Sequence, residues 1–302
     1  MDESGNPEEL TQASAFGRGS TARRIVLGNA LRRLREEAGI SRPEAGYQIR
    51  ASDSKVCRLE LGRVAFKERD VVDLLTMYGI TDNSERETFL DMVRQANQPG
   101  WWRRYSDVMP NWFQDFVGLE ESAARIQTYE LQFVPGLLQT EKYARAIATR
   151  GRPDFAPPDV ERRITLRMQR QRILTGVKPT TIWAVIDESV LRRPIGGRQI
   201  LLDQIDHLIE ITKRPNVIVQ VVPKQLSGYA AEGSFTILRF AEPELPDVIY
   251  IEHLGGALYL DSLADMELYG RALDRLAVDA ETPDSSRQLM EKIRSEVAAG
   301  NL

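Results

Sequence analysis

Apolar residues recur every three to four positions through the first hundred residues, which is the period of short amphipathic helices. Leu27, Ala30, Leu31, Leu34 and Ala38 predict one helix, and Gly39 sits where its C-terminal stop belongs. Ser41-Arg42-Pro43-Glu44 then offers a capping box with proline in the first turn, opening a second, short helix that carries Ala45 and Ile49 inward. Ser52 caps a third helix with Val56 and Leu59 on one face, and Gly62 ends it. Val71, Leu74, Leu75 and Tyr78 form a fourth, stopped by Gly79. Phe89, Met92, Val93 and Ala96 form a fifth, opened by Asp82-Asn83-Ser84-Glu85. The first 22 residues are rich in Ser, Gly, Glu and Ala without periodicity and read as a disordered tail.

The pattern changes near Gln98-Pro99-Gly100, where we place a domain boundary. Leu119 to Arg150 reads as two helices broken by Pro135-Gly136, and Asp159 to Leu174 as a long basic helix. After that the period shortens. Thr181–Ile186, Val217–Val222, Phe235–Phe240 and Val248–Glu252 are β-rich runs of strand length, with a helix from Ile200 to Ile211 between the first two. Helices from Ser262 to Val278 and from Ser285 to Val297 close the chain. The expected fold is α+β and mainly α: a five-helix domain over residues 23–97, then a mixed α/β domain over residues 98–302 with a sheet of about four strands.

Composition narrows the classes. The chain has 302 residues, 42% hydrophobic and 28% charged, with no apolar run long enough to span a membrane. The polar start lacks a secretory h-region. One cysteine and two histidines leave no disulfide framework and almost no zinc ligands, so no metal and no cofactor are expected, in a reducing cytoplasm. The net charge of -4 hides an asymmetry. Between Arg23 and Arg69 twelve basic residues face six acidic ones, a net +6, which leaves -10 for the remainder. A short basic head on a long acidic body suggests a polyanion partner.

The second and third helices have helix-turn-helix proportions. In that motif the third helix enters the major groove, about 12 Å wide, so its outward face must be polar or basic. Ser52, Asp53, Ser54, Lys55 and Arg58 meet this requirement, and Lys55 and Arg58 lie at i and i+3. Arg58 suits a bidentate guanine contact, Lys55 a base or phosphate contact, and Arg42 a phosphate at the start of the second helix. Arg63 and Lys67 extend the candidate DNA-binding set.

Leu31-Arg32-Arg33-Leu34-Arg35-Glu36-Glu37-Ala38-Gly39-Ile40-Ser41 and Ser54-Lys55-Val56-Cys57-Arg58-Leu59-Glu60-Leu61-Gly62-Arg63 resemble the XRE (phage Cro-repressor-like) helix-turn-helix family over roughly residues 25–80. The sequence departs from the family at Arg42, where glutamine is usual, at Gly46-Tyr47, and at Arg50, often glycine. Trp112-Phe113, Gly118-Leu119-Glu120 and Val134-Pro135-Gly136-Leu137-Leu138-Gln139-Thr140 resemble the C-terminal domain of actinobacterial WhiJ-like, antitoxin-like regulators, over about residues 100–280. Together the resemblances imply a transcriptional regulator that binds double-stranded DNA as a homodimer on a pseudo-palindromic operator. Its second domain would receive a small-molecule signal or a small protein from a neighbouring gene. An antitoxin-like protein that sequesters such a partner and autoregulates its operon is the alternative.

Other features keep two readings. Trp101, Trp102, Trp112 and Phe116 form either a core between domains or an aromatic ligand or partner surface. Arg162, Arg163, Arg167, Arg170 and Arg172 offer an anion site or an ion-paired helix face, and Arg167 joins the aromatics as a ligand or partner candidate. Glu60 reads as structural. Cys57 is either a small packing residue or a redox-sensitive position on the third helix. His207 and His253 sit in no nucleophile or metal motif, and Asp187-Glu188 is the nearest thing to a carboxylate pair, so no catalytic residues are assigned and an enzyme is not expected.

Overall fold

The computed structural model describes residues 20–151, 156–225, 233–242 and 245–300. The chain forms two compact units, Met1–Arg103 with Phe240–Pro246, and Arg104–Arg239 with Asp247–Leu302.

The first unit holds five α-helices among the described residues: α1 (Ser20–Glu37), α2 (Arg42–Gln48), α3 (Asp53–Glu60), α4 (Glu68–Met77) and α5 (Asn83–Ala96). Of the stretch read as a tail, residues 1–19 lie outside the described residues, whereas Ser20–Ala22 form the first turn of α1, with Ala22 buried. The expected caps are made. Ser41 and Glu44 close a reciprocal capping box, Ser52 accepts from the Lys55 amide, and Asp82 accepts from the Glu85 amide. Gly39 and Gly79 end their helices at positive φ. Leu27, Leu31, Val56, Leu59, Leu75, Phe89 and Val93 form one core, to which the 240–246 segment adds Leu245.

Two glycines set how closely α1 meets α3. A Cβ on Gly28 would lie 2.5 Å from the Glu60 carbonyl oxygen and 2.6 Å from that of Leu59, so only glycine lets α1 lie against the end of α3. Gly62, at φ +65, would place a Cβ 2.6 Å from the Ile25 amide nitrogen.

The second unit is a six-stranded mixed sheet with helices, not the four strands expected. After α6 (Asn111–Ser122) come β1 (Arg125–Glu130), α7 (Glu141–Gly151), α8 (Pro157–Arg170), β2 (Thr181–Asp187), α9 (Glu188–Arg192), α10 (Arg198–Ile211) and β3 (Val217–Val222). Then follow β4 (Phe235–Arg239), β5 (Val248–His253), β6 (Gly256–Leu260), α11 (Leu263–Asp279) and α12 (Pro283–Ala299). The strand order is β3-β2-β1-β4-β5-β6, with β1, β2 and β3 parallel and β4 to β6 joined antiparallel.

The two additional strands are β1 and β6. Strand β1 occupies part of the stretch read as helical, and it is central. Its polar Gln127 and Thr128 are buried and satisfied across the sheet: Arg239 donates to Gln127, and the Thr128 and Thr236 hydroxyls meet at 3.0 Å. That pairing hides the apolar signature a central strand normally shows. Strand β6 is a short edge strand turned back on β5, and none of its residues is fully buried. Tyr129, Val185, Phe235, Ile237, Ile249, Leu273 and Leu276 form the core under α11. On the opposite face Phe116 of α6 stacks on Tyr250 at 4.0 Å.

Candidate nucleic-acid interface

Helix α3 is held from three sides. Val56 and Leu59 are buried in the helical core. Glu60, on the same inward side, takes a fork-on-fork pair from buried Arg35, Nε to Oε1 at 2.5 Å and Nη2 to Oε2 at 3.1 Å. Arg35 also donates through Nη1 to the Ile40 carbonyl at 2.8 Å, so one guanidinium ties α1, the start of α2 and the end of α3 together. Glu60 is therefore structural, as its place in the sequence suggested. At the other end Lys55 reaches Asp70 of α4, Nζ to Oδ2 at 2.8 Å. Burial pushes the Asp70 carboxyl up, but Lys55 and Arg69 more than offset it and hold the pKa below the ordinary aspartate value.

The turn between α2 and α3 is tight. The Ala51 amide donates to the Gly46 carbonyl at 2.8 Å, and Arg50 adopts φ 52. That left-handed conformation costs a non-glycine residue about 1–2 kcal/mol, the physical reason glycine is common there. Tyr47, 87% exposed, lines a shallow cleft with Arg50, Ser52, Arg69 and Asp73.

What α3 leaves outward is short and polar. Ser52, Asp53, Ser54 and Arg58 are exposed. Arg58 donates to the Ser54 carbonyl at 3.2 Å, and no described carboxylate is within ion-pairing distance of it. Arg42 is exposed at the first position of α2, with Nε 3.6 Å from the Asp53 carboxylate. Arg63 and Lys67 are exposed on the segment between α3 and α4. The predicted residues are thus exposed with one exception: Lys55 is half-buried and already paired. The sequence set omitted Asp70, an acid buried on the inner side of α4 within a basic segment. Its position beside Val71 and Leu74 was the available signal.

The aromatic and arginine candidates divide. Trp101 and Trp102 meet edge to face, centroids 6.0 Å apart, in the first unit. Trp112, Phe113 and Phe116 belong to the second, where Phe113 stacks on Phe116 and Arg170 lies over both rings. Two arginines of α8 are ion-paired. Arg162 binds Asp107, and buried Arg170 makes a bidentate pair with buried Glu120, both contacts at 2.7 Å. Arg167 differs: among the described residues it donates to the neutral amide oxygen of Gln139, 2.7 Å away.

Asp187 and Glu188 have structural tasks. Asp187 caps α9 through the Ser189 amide, and Glu188 accepts from Arg192 and from the Lys224 amide. No group of described residues is arranged to hold a metal ion, and no described helix is long and apolar enough to cross a membrane.

A helical unit whose α2–α3 pair exposes basic side chains, in one chain with an α/β unit, is the build of a helix-turn-helix DNA-binding regulator. The family comparison agrees, since residues 26–89 match the helix-turn-helix domain family. Residues 113–292 match a domain of unknown function (DUF5753), and the chain belongs to that family. No curated protein and no solved structure matches the chain.

Proposed function

We propose that this protein is a cytoplasmic, XRE-type transcriptional regulator that reads a pseudo-palindromic operator as a homodimer. Residues 23–97 act as the DNA-binding domain and residues 98–302 as the input and dimerisation domain, in the manner of actinobacterial WhiJ-like regulators. The observation that carries the reading is the outward face of α3, where Arg58 carries a guanidinium with no carboxylate partner while Glu60 and Lys55 are spent on holding the helix. Arg58 makes the base contact, Ser52 and Ser54 the lesser polar contacts, and Arg42, Arg63 and Lys67 the phosphate contacts. Lys55 serves first as the anchor to α4 and lends its remaining donors to the groove edge. One eight-residue helix touches only a few base pairs, so two copies related by symmetry are needed for useful specificity. No catalytic role is assigned.

Selection from a random duplex pool tests this. The expected result is a two-fold symmetric motif with half-sites about one helical turn apart. Recovery of no enriched sequence would contradict it.

A second reading, antitoxin-like capture of a small partner protein, draws on exposed apolar side chains of the second unit: Leu254, Leu258, Leu263, Leu268 and Val278. Co-purification with the product of an adjacent gene, and a shift in operator affinity on adding it, would favour that reading over small-molecule sensing.

A further inference from the structure

We infer that the second unit binds a small zwitterion of the α-amino-acid class at the C-terminal end of β1 and β5, with Arg167 holding its carboxylate and Glu130 and Glu252 its ammonium group. The inference rests on reading that unit as the input domain and names what it would sense.

The sheet register builds one wall. Thr128, Thr236 and Tyr250 lie in one row across β1, β4 and β5. Two residues on in β1 and β5, and two residues back in antiparallel β4, the next row is Glu130, Ser234 and Glu252, on the same face by the two-residue alternation. This is the face on which Phe116 stacks against Tyr250. It is also where the chain changes direction across the sheet, with β2 and β3 added on one side of β1 and β4 to β6 on the other. In open α/β sheets that end of the strands is where ligands sit.

Helix α8 builds the other wall. Arg170 lies over Phe116 and is fully matched by Glu120, so it is part of the fabric. Arg167, one turn earlier, is held by a neutral group instead. Gln139 is buried, donates to the Val134 carbonyl at 2.6 Å and offers only its amide oxygen to Arg167. Gln171 pins the same loop through the Gly136 and Gln139 carbonyls, and buried Gln204 pins it through the Thr140 amide and Leu138 carbonyl. The Pro-Gly-Leu-Leu-Gln segment thus presents a fixed arginine whose other donors meet no described carboxylate at ion-pairing distance.

The carboxylates opposite are likewise without cation partners. Glu252 accepts from the Tyr250 hydroxyl at 3.0 Å, which orients it, and Glu130 accepts from Ser234. Glu252 is near enough to act on Arg167 and on Glu130 without pairing with either. Burial pushes Glu130 up to about 7, and burial together with Arg170 lowers Arg167 to about 10, so each charge is incompletely compensated. A ligand with one carboxylate and one ammonium group satisfies both walls. An anion alone would leave the two carboxylates facing each other.

Calorimetry on the full chain, without DNA, tests the site with each proteinogenic L-amino acid in turn, and with acetate and methylamine as the separate halves. At least one amino acid binds and the halves do not. Arg167→Gln and Glu252→Gln each weaken binding at least about tenfold, as loss of a charged hydrogen bond predicts. Glu252 is exposed, so its variant keeps the fold and preserves the test if Arg167→Gln melts early. Failure of every amino acid to bind wild-type protein would overturn the inference, as would binding that survives both substitutions or acetate binding as tightly as the amino acid. Operator affinity is measured separately on the same preparation, so loss of this site and loss of the regulator reading are distinct results.

Discussion

The two units each contain a buried arginine–glutamate fork, Arg35–Glu60 in the helical unit and Arg170–Glu120 in the α/β unit, yet they place their remaining charges differently. In the helical unit buried Arg35 is matched by Glu60, and exposed positive charge lies on Arg58, Arg63 and Lys67. In the α/β unit Arg162 is paired with Asp107, whereas Arg167 and Glu130, both partly buried, have no opposite charge at ion-pairing distance among the described residues. An exposed cationic face suits a large polyanion that arrives from solvent and is held partly by counterion release. Half-buried opposite charges suit a small ligand that must shed its water to enter.

The largest effects come from breaking the buried forks. Glu60→Ala leaves Arg35 buried without its partner and costs about 3–5 kcal/mol in the helical unit, and Glu120→Ala does the same in the other. Denaturant unfolding followed by probes in each unit should show one transition moving in each variant; movement of both together would show that the units are not separately stabilised.

Gly28→Ala forces a methyl group against two carbonyl oxygens of α3 and should cost about 1–3 kcal/mol by overpacking. Because the strained contact is with α3, the helix proposed to read DNA, operator affinity should fall further than global stability alone explains. A binding curve at a temperature where the variant remains folded checks this.

Glu130→Gln sharpens the comparison through pH. A carboxyl with pKa about 7 in the folded chain, against an ordinary value of 4.5, binds its proton more tightly when folded. Stability from this group is full below about pH 4.5 and is lost as pH rises through 7. The variant should therefore gain about 1–3 kcal/mol over wild type at pH 8 and almost nothing at pH 4.5. Asp70 has the opposite sign: held below its ordinary value, it contributes stability above about pH 4 that is lost on acidification. Melting temperatures across that range separate the two.

The smallest effect belongs to a phosphate contact. Lys67→Ala should weaken binding to operator and scrambled DNA about equally and reduce the salt slope by about one. A loss confined to the operator would reassign Lys67 to base reading.

How much of this was legible in the chain follows from the range of the interactions. The helices of the first unit announce themselves locally: a serine or aspartate cap, a glutamate three residues on, a glycine stop. The outward set on α3 follows from the same period, and the structure exposes most of it. Lys55 is the exception, because its partner Asp70 is fifteen residues away and no local pattern pairs them. Strand β1 was illegible because Gln127 and Thr128 are polar yet buried, satisfied by residues more than a hundred positions away. Arg167, Gln139 and Glu252 meet only through the folding of α8 over the sheet. The sequence marks Arg167 as one of five similar arginines; that no described carboxylate comes within ion-pairing distance of it is a property of the fold.

The central claim is that α3 reads DNA through Arg58. Affinities of wild type and Arg58→Ala for the selected operator, its single-base variants and scrambled duplex, all at one salt concentration, test it directly. The predicted result is a loss of about 1–3 kcal/mol on the operator, with discrimination relaxed at one base pair and scrambled DNA almost unaffected. An Arg58→Ala protein that binds the operator as tightly and as selectively as wild type would contradict it.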